Sequence, residues 1–282
     1  MRLLATVVLW LATTVALAVA VPAAWAQTHI IDRDGYTALA GRAADDPVLQ
    51  SAMAAELSTR AMALIAKRGG QHDAIDGSAV QEAAMSFTTS AAFPPLFAQA
   101  NRVAHDWLFS EAQSAADGER WVVDLAPMLN DSSIQQVLSS YHVTVPDTLR
   151  VPLTVSTPQP LHQGQLRRVA VWGPWGSIGA AALAVVCGLL TLITARRRGK
   201  ALSSLGVSAL MVGAAGWAGI EVGGRYVNEA LNRTTGDIRR IADVMVNTAE
   251  GSLHLWLNLT LLAGVALVVV GAVAAMIRSL WN

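Results

Sequence analysis

Val169-AVWGPWGSIGAAALAVVCGLLTLIT-Ala195, Arg196-Arg197-Arg198-Gly199-Lys200 and Ala201-LSSLGVSALMVGAAGWAG-Ile220 follow one another directly, and this stretch decides the fold. The two flanking runs contain no Asp, Glu, Lys or Arg. Each is long enough to cross a ~30 Å hydrocarbon core as a helix rising about 1.5 Å per residue. A dense cationic cluster between two such runs is the pattern of a short cytoplasmic loop, because Arg and Lys concentrate on that side. The cluster therefore orients the chain.

Working outward, two further apolar runs emerge. Leu3–Val21 follows Met1-Arg2, and Leu255–Ile277 ends at Arg278. With the second run at Val169–Ala195 and the third at Leu202–Ile220, this gives four spans. Arg2, Arg196–Lys200 and Arg278 then all face the cytoplasm, and outweigh Arg167-Arg168 on the outer side. The first run has two readings. Ala24-Trp25-Ala26 before Gln27 has the form of a leader-peptide cleavage site, whereas the run exceeds the ~7–15 residues of a usual leader core. Residues 1–26 are thus an N-terminal transmembrane anchor or a signal peptide, and residue 27 onward is outside in either case. Trp172 and Trp175 suit the headgroup level. Ala215, Gly219 and Gly223, spaced by four, suggest a close helix contact, and Asn258 and Thr260 suggest hydrogen bonds between helices.

Composition agrees. Of 282 residues, 53% are hydrophobic and 14% charged, with zero net charge. There is no basic excess to draw nucleic acid. Lysine occurs only at Lys67 and Lys200, and the Arg- and Ala-rich bias suggests a high-GC bacterial genome. The lone Cys187 lies in an apolar run, so no internal disulfide braces the protein. Charge is absent from all four runs, which argues against a pump, coupled transporter or voltage sensor.

Residues 27–168 form one polar block with 15 acidic and 10 basic residues, the size of one domain. Asp46-Pro47 signals a helix start, and Leu49, Ala52, Met53, Leu57, Ala61, Leu64 and Ile65 follow at helical spacing up to Gly69-Gly70. Ser78-x-x-Gln81 predicts a capping box for a helix through Ala91. A third helix is expected from about Pro94-Pro95, with Leu96, Ala100, Val103, Trp107 and Leu108 on one side. Asp117-Gly118 marks a turn, and 128–140 a further helix. Trp121–Leu125, Val143–Val145 and Val151–Val155 read as short strands, and Thr157–Gln165 as a linker. In 222–253, Ile238, Ile241, Ala242, Met245 and Ala249 predict an amphipathic helix, lying on the membrane or packed under the large domain. The expected fold is mostly α. It has four transmembrane helices and a mainly helical extracytoplasmic domain containing a few short strands. Its parts are 1–26, 27–168, and a three-helix region 169–282 with the Arg-rich loop 196–200 and the outer loop 222–253.

The combination of a first span, Tyr36…Asp46-Pro47-Val48-Leu49-Gln50, Phe93…Ala100-Asn101-Arg102-Val103-Ala104-His105, Val123-Asp124-Leu125-Ala126-Pro127 and three later spans resembles a group of four-span integral membrane proteins common in actinobacteria, including mycobacteria. The resemblance implies a plasma-membrane protein with an extracytoplasmic domain. It carries over no catalytic residue.

The search for chemistry is sparse. His29, His72, His105, His142, His162 and His254 lie in no metal-ligand motif. His72, Asp73 and Asp76 could offer ligands from one loop, although a solvated loop explains them as well. His105-Asp106 are adjacent on a helix and point about 100° apart. No nucleophile elbow, P-loop or dinucleotide fingerprint occurs. No catalytic, cofactor-binding or metal-ligating residue is assigned, and no cofactor is expected. The cytoplasmic segments are too short for a kinase, ATPase or DNA-binding domain. The expectation is a non-enzymatic cell-envelope protein whose outer helical domain binds a partner protein or envelope component. The alternative is an accessory in lipid or envelope-precursor transport, with Met53, Met62 and Met85 lining an acyl groove. Partners are then the membrane and other envelope membrane proteins or lipid.

Overall fold

A computed structural model describes residues 2–68, 76–109, 122–152, 162–195, 198–232 and 236–280. The helices are α1 (Arg2–Ala26), continued by a π-helical turn Gln27–Ile31, α2 (Arg33–Ala43), α3 (Pro47–Arg68), α4 (Gly77–Thr88), α5 (Phe93–Phe109), α6 (Ala126–Leu129), α7 (Ser132–Ser140), α8 (Arg167–Thr194), α9 (Arg198–Leu231) and α10 (Asp237–Leu280). They divide into an apolar unit (1–31, 168–226 and 250–282) and a polar unit (32–167 and 227–249).

The apolar unit contains four helices long and apolar enough to cross a membrane, so this is a multi-pass membrane protein. Its contacts are close approaches. A Cβ placed on Gly199 would lie 2.8 Å from Gly271 O, and one on Gly206 would lie 2.6 Å from Gly264 O. One on Gly213 would meet the Leu261 side chain at 2.6 Å. These positions recur every seven residues along α9 and pair with α10 in reverse order, so two antiparallel helices touch backbone to backbone. Small residues permit that approach where lipid supplies no hydrophobic drive between helices. The expected contact at Gly219 and Gly223 is not made, since nothing lies within 4 Å of a Cβ on either. Spacing by four shows that a face is small, but not where its neighbour stands. Trp217 Nε1 donates to Asn258 Oδ1 across α9 and α10 at 3.2 Å. Thr260, by contrast, donates back to Trp256 O within its own helix.

The polar unit is built on a different principle. Phe87, Phe93, Leu49, Leu57, Leu129 and Leu138 are wholly buried, and Ile134, Val80 and Phe97 join them. Asp46 opens α3 by accepting from Val48 N at 2.7 Å, with Pro47 in the first helical position. α4 departs from the expected capping box. Asp76, not Ser78, is the cap, and its carboxylate accepts from Ser78 N and Ala79 N and from the Ser78 hydroxyl. These hydrogen bonds, the Ser78 side chain foremost, hold the Asp76 carboxyl below its ordinary range. α4 also ends at Thr88, short of Ala91. In α5 the buried face is Phe93, Phe97, Ala104 and His105, while Val103, expected inside, is 52% exposed. The helix expected over 128–140 is divided, because Asp131 accepts from Ser133 N and starts α7 anew.

The expectation of short strands is corrected. Helix dominates the described residues, and among them the polar unit has no strand layer. Its extended residues, β1 (Val122–Asp124) and β2 (Arg150–Pro152), form a single antiparallel ladder of three residue pairs. Val143–Val145 is irregular for a definite reason. His142 takes φ 58° after α7, His142 N donates to Ser139 O, and Val143 N donates to Leu138 O. That is a Schellman stop, with the buried pair Leu138 and Val143 as its apolar clasp. The valine belongs to a helix end and is unavailable to a strand. Residues 153–155 of the third expected strand lie outside the described residues, as do Gly69-Gly70, Asp117-Gly118, most of the linker, and Arg196 and Arg197 of the cationic cluster.

The amphipathic stretch in 222–253 is not a separate helix. α9 runs on to Leu231 and α10 begins at Asp237, after Gly236 at φ +71°. Arg239 ties the end of α9 to the start of α10 by donating to Asn228 and Asn232 at 2.7 Å. Val244 is buried in the polar unit's core, with Ile241 and Met245 packed against it. The apolar stripe therefore packs within the protein.

Candidate binding groove in the polar unit

α2 and α5 lie side by side, tied by polar contacts. Arg33 pairs with Asp106, and Arg102 with Asp34 at 3.6 Å. Tyr36 donates to Asn101 Oδ1 at 3.4 Å, and Asn101 Nδ2 donates to Phe97 O at 2.9 Å. Burial raises the Tyr36 phenol above its ordinary range, so it stays a neutral donor.

A groove of about 480 Å³ runs along this pair. Thr37, Ala38 and Gly41 of α2 and Ala98 of α5 line it with small side chains, and a Cβ on Gly41 would stand 3.9 Å from that of Ala98, in ordinary contact. Pro94 and Pro95, at the start of α5, add a rigid apolar wall. Asp34, Arg42 and Asp45 give it a mixed charge. The Thr37 hydroxyl is engaged with Arg33 O at 2.7 Å. The groove thus offers shape, apolar surface and charge, with no nucleophile beside a base. Sequence reading missed it, because Ala38, Gly41 and Ala98 look like ordinary small helix residues until α2 and α5 are set together.

The histidines fall in separate settings. His105 is 5% exposed, its ring 5.0 Å from that of Tyr36 and stacked on Phe109 at 4.2 Å. It is a core residue. Asp106 turns away to Arg33. His142 forms the α7 stop, and His162 lies near the start of α8. In the apolar unit, His29 stacks near Trp25 and meets Trp256 edge-on, while His254 stacks on Trp217 at 3.9 Å. His72 and Asp73 lie outside the described residues, and Asp76 is committed to its cap. Among the described residues, no group of three or more His, Cys, Asp or Glu is arranged to hold a metal. Met53 lies in the core, Met62 packs against it, and Met85 is at the surface, so the three do not line a common groove. Comparison with protein-family models, curated proteins and solved structures finds no match for this chain.

Proposed function

We propose that this protein is a non-enzymatic plasma-membrane protein of the cell envelope, whose polar unit faces the extracytoplasmic side and binds a partner protein or envelope component. The open groove between α2 and α5 carries the reading, since it combines small apolar lining with charges of both signs. The orientation rests on Arg2, Arg196–Lys200 and Arg278, which the positive-inside bias puts in the cytoplasm. The resemblance to four-span actinobacterial membrane proteins points the same way. No observation favours lipid carriage, because the methionines expected to line an acyl groove are spread between core and surface.

The test is crosslinking in intact membranes at native expression, followed by affinity capture in detergent. Ala38→Trp fills the groove from an exposed position without touching the core. A defined partner should be captured with the native chain and lost with Ala38→Trp. Recovery of the protein alone counts against the reading. A partner that survives the substitution moves the binding surface elsewhere.

A further inference from the structure

We infer that α1 is a permanent helix of the membrane bundle and that Ala24-Trp25-Ala26 is not used as a cleavage site. This inference is independent of partner binding and takes one side of the alternative the sequence leaves open.

The first argument is register. Trp10 Nε1 donates to Ser204 O at 2.9 Å, and the Thr14 and Ser208 hydroxyls are hydrogen-bonded at 2.8 Å. Both contacts join residues 194 apart in sequence. One turn along α1 therefore matches one turn along α9 in the same direction. A removable leader needs only apolar length, whereas α1 presents an indole and a hydroxyl matched in position to groups on a neighbour. The adjoining face is closed off as well: Thr13, Ala16 and Ala20 are buried, and Thr13 Cγ2 stands 3.8 Å from where a Cβ on Gly188 of α8 would lie. Ser208 is also wholly buried, so without α1 its hydroxyl would lose its side-chain partner.

The second argument concerns the motif itself. Ala24-Trp25-Ala26 is the last turn of α1, and the helical backbone passes straight into the π turn Gln27–Ile31. Proteases act on backbone that is open, and a helical bond is cut only from a locally unfolded state. Here opening would also strip Trp25 from Ser252, to which its Nε1 donates at 3.3 Å, and from the neighbouring His29 ring.

The full chain, with its native N-terminus and a C-terminal tag, is purified from bacterial membranes and weighed intact. A species beginning at Met1 or Arg2, 29.7 kDa before the tag, is expected. A species beginning at Gln27 overturns the inference. The register is tested separately with Thr14→Cys and Ser208→Cys in a Cys187→Ala background, since Cys187 is the free native thiol. Mild oxidation should join peptides containing residues 14 and 208. A full-length chain whose two thiols stay free overturns the packing. If the double-cysteine chain does not fold, the native chain's mass still decides retention.

Discussion

α9 against α10 and α4 against α5 are both helix contacts, yet they are made of opposite materials. In the membrane pair the contacting residues are glycines, and carbonyl oxygens stand within 3 Å of where a side chain would begin. In the polar unit the contact is between rings, with Phe87 meeting Phe93 edge-on at 5.6 Å and Phe97 following. Water drives the second kind, because burying an aromatic ring removes a large apolar area from solvent. Lipid gives no such reward, so membrane helices gain by fitting closely and by satisfying polar groups between them. The same residue type therefore means different things in the two units. Alanine and glycine are contact residues on α9, but groove lining on α2.

The comparison can be broken most forcefully at Phe87. Phe87→Ala should destabilise the polar unit by about 3–5 kcal/mol, read by chemical denaturation of the purified protein. A loss under ~1 kcal/mol would mean that the rings do not carry this core. Next comes Gly206→Leu, whose side chain would enter the Gly264 and Val268 backbone. Loss of about 1–3 kcal/mol or more is expected, seen as a lower melting temperature in detergent. Gly219→Leu on the same helix should leave melting unchanged, and equal effects at the two positions would refute the glycine interface.

Asp124→Ala sharpens a smaller point. Asp124 Oδ1 accepts from Ala126 N at 2.9 Å and Leu149 N at 2.8 Å, joining the start of α6 to the chain before β2. Its removal should cost about 1–3 kcal/mol and raise hydrogen exchange at those two amides. His142→Gly should act in the opposite sense, stabilising by about 0.4–1 kcal/mol by relieving the left-handed backbone. The smallest effect is a pH dependence. Because the folded Asp76 carboxyl titrates below its unfolded value, its contribution is present above about pH 4 and fades as pH falls through the folded pKa. Asp76→Asn should flatten that part of the acid-stability profile.

How far each element could be read in advance follows from how local its cause is. Asp46-Pro47 marks its helix start in two adjacent residues, and the structure uses them so. The stop after α7 is also local, but its residue is a histidine where glycine is the usual sign, so Val143–Val145 looked free to form a strand. Val103 is exposed because α5 is buried through Phe93, Phe97, Ala104 and His105, while Leu96 and Ala100 of the expected side only flank the core. The periodicity of α5 supports either face, and only α2 and its neighbours choose. The groove was illegible for the same reason, being made of two helices' unremarkable small residues.

Four runs long enough to cross a membrane, one large polar block and the absence of charge within the runs follow from residue order alone. These are properties of consecutive residues measured against a bilayer of fixed thickness, and no neighbour can alter them. That Gly199, Gly206 and Gly213 face α10 while Gly219 and Gly223 stand open follows from how the neighbouring helices pack. The same neighbours matched Trp10 and Thr14 to α9, brought Ile241, Val244 and Met245 to the polar core, and opened a groove between α2 and α5. Each of those outcomes depends on which surface another helix presents, and a single helix does not encode its partner's position.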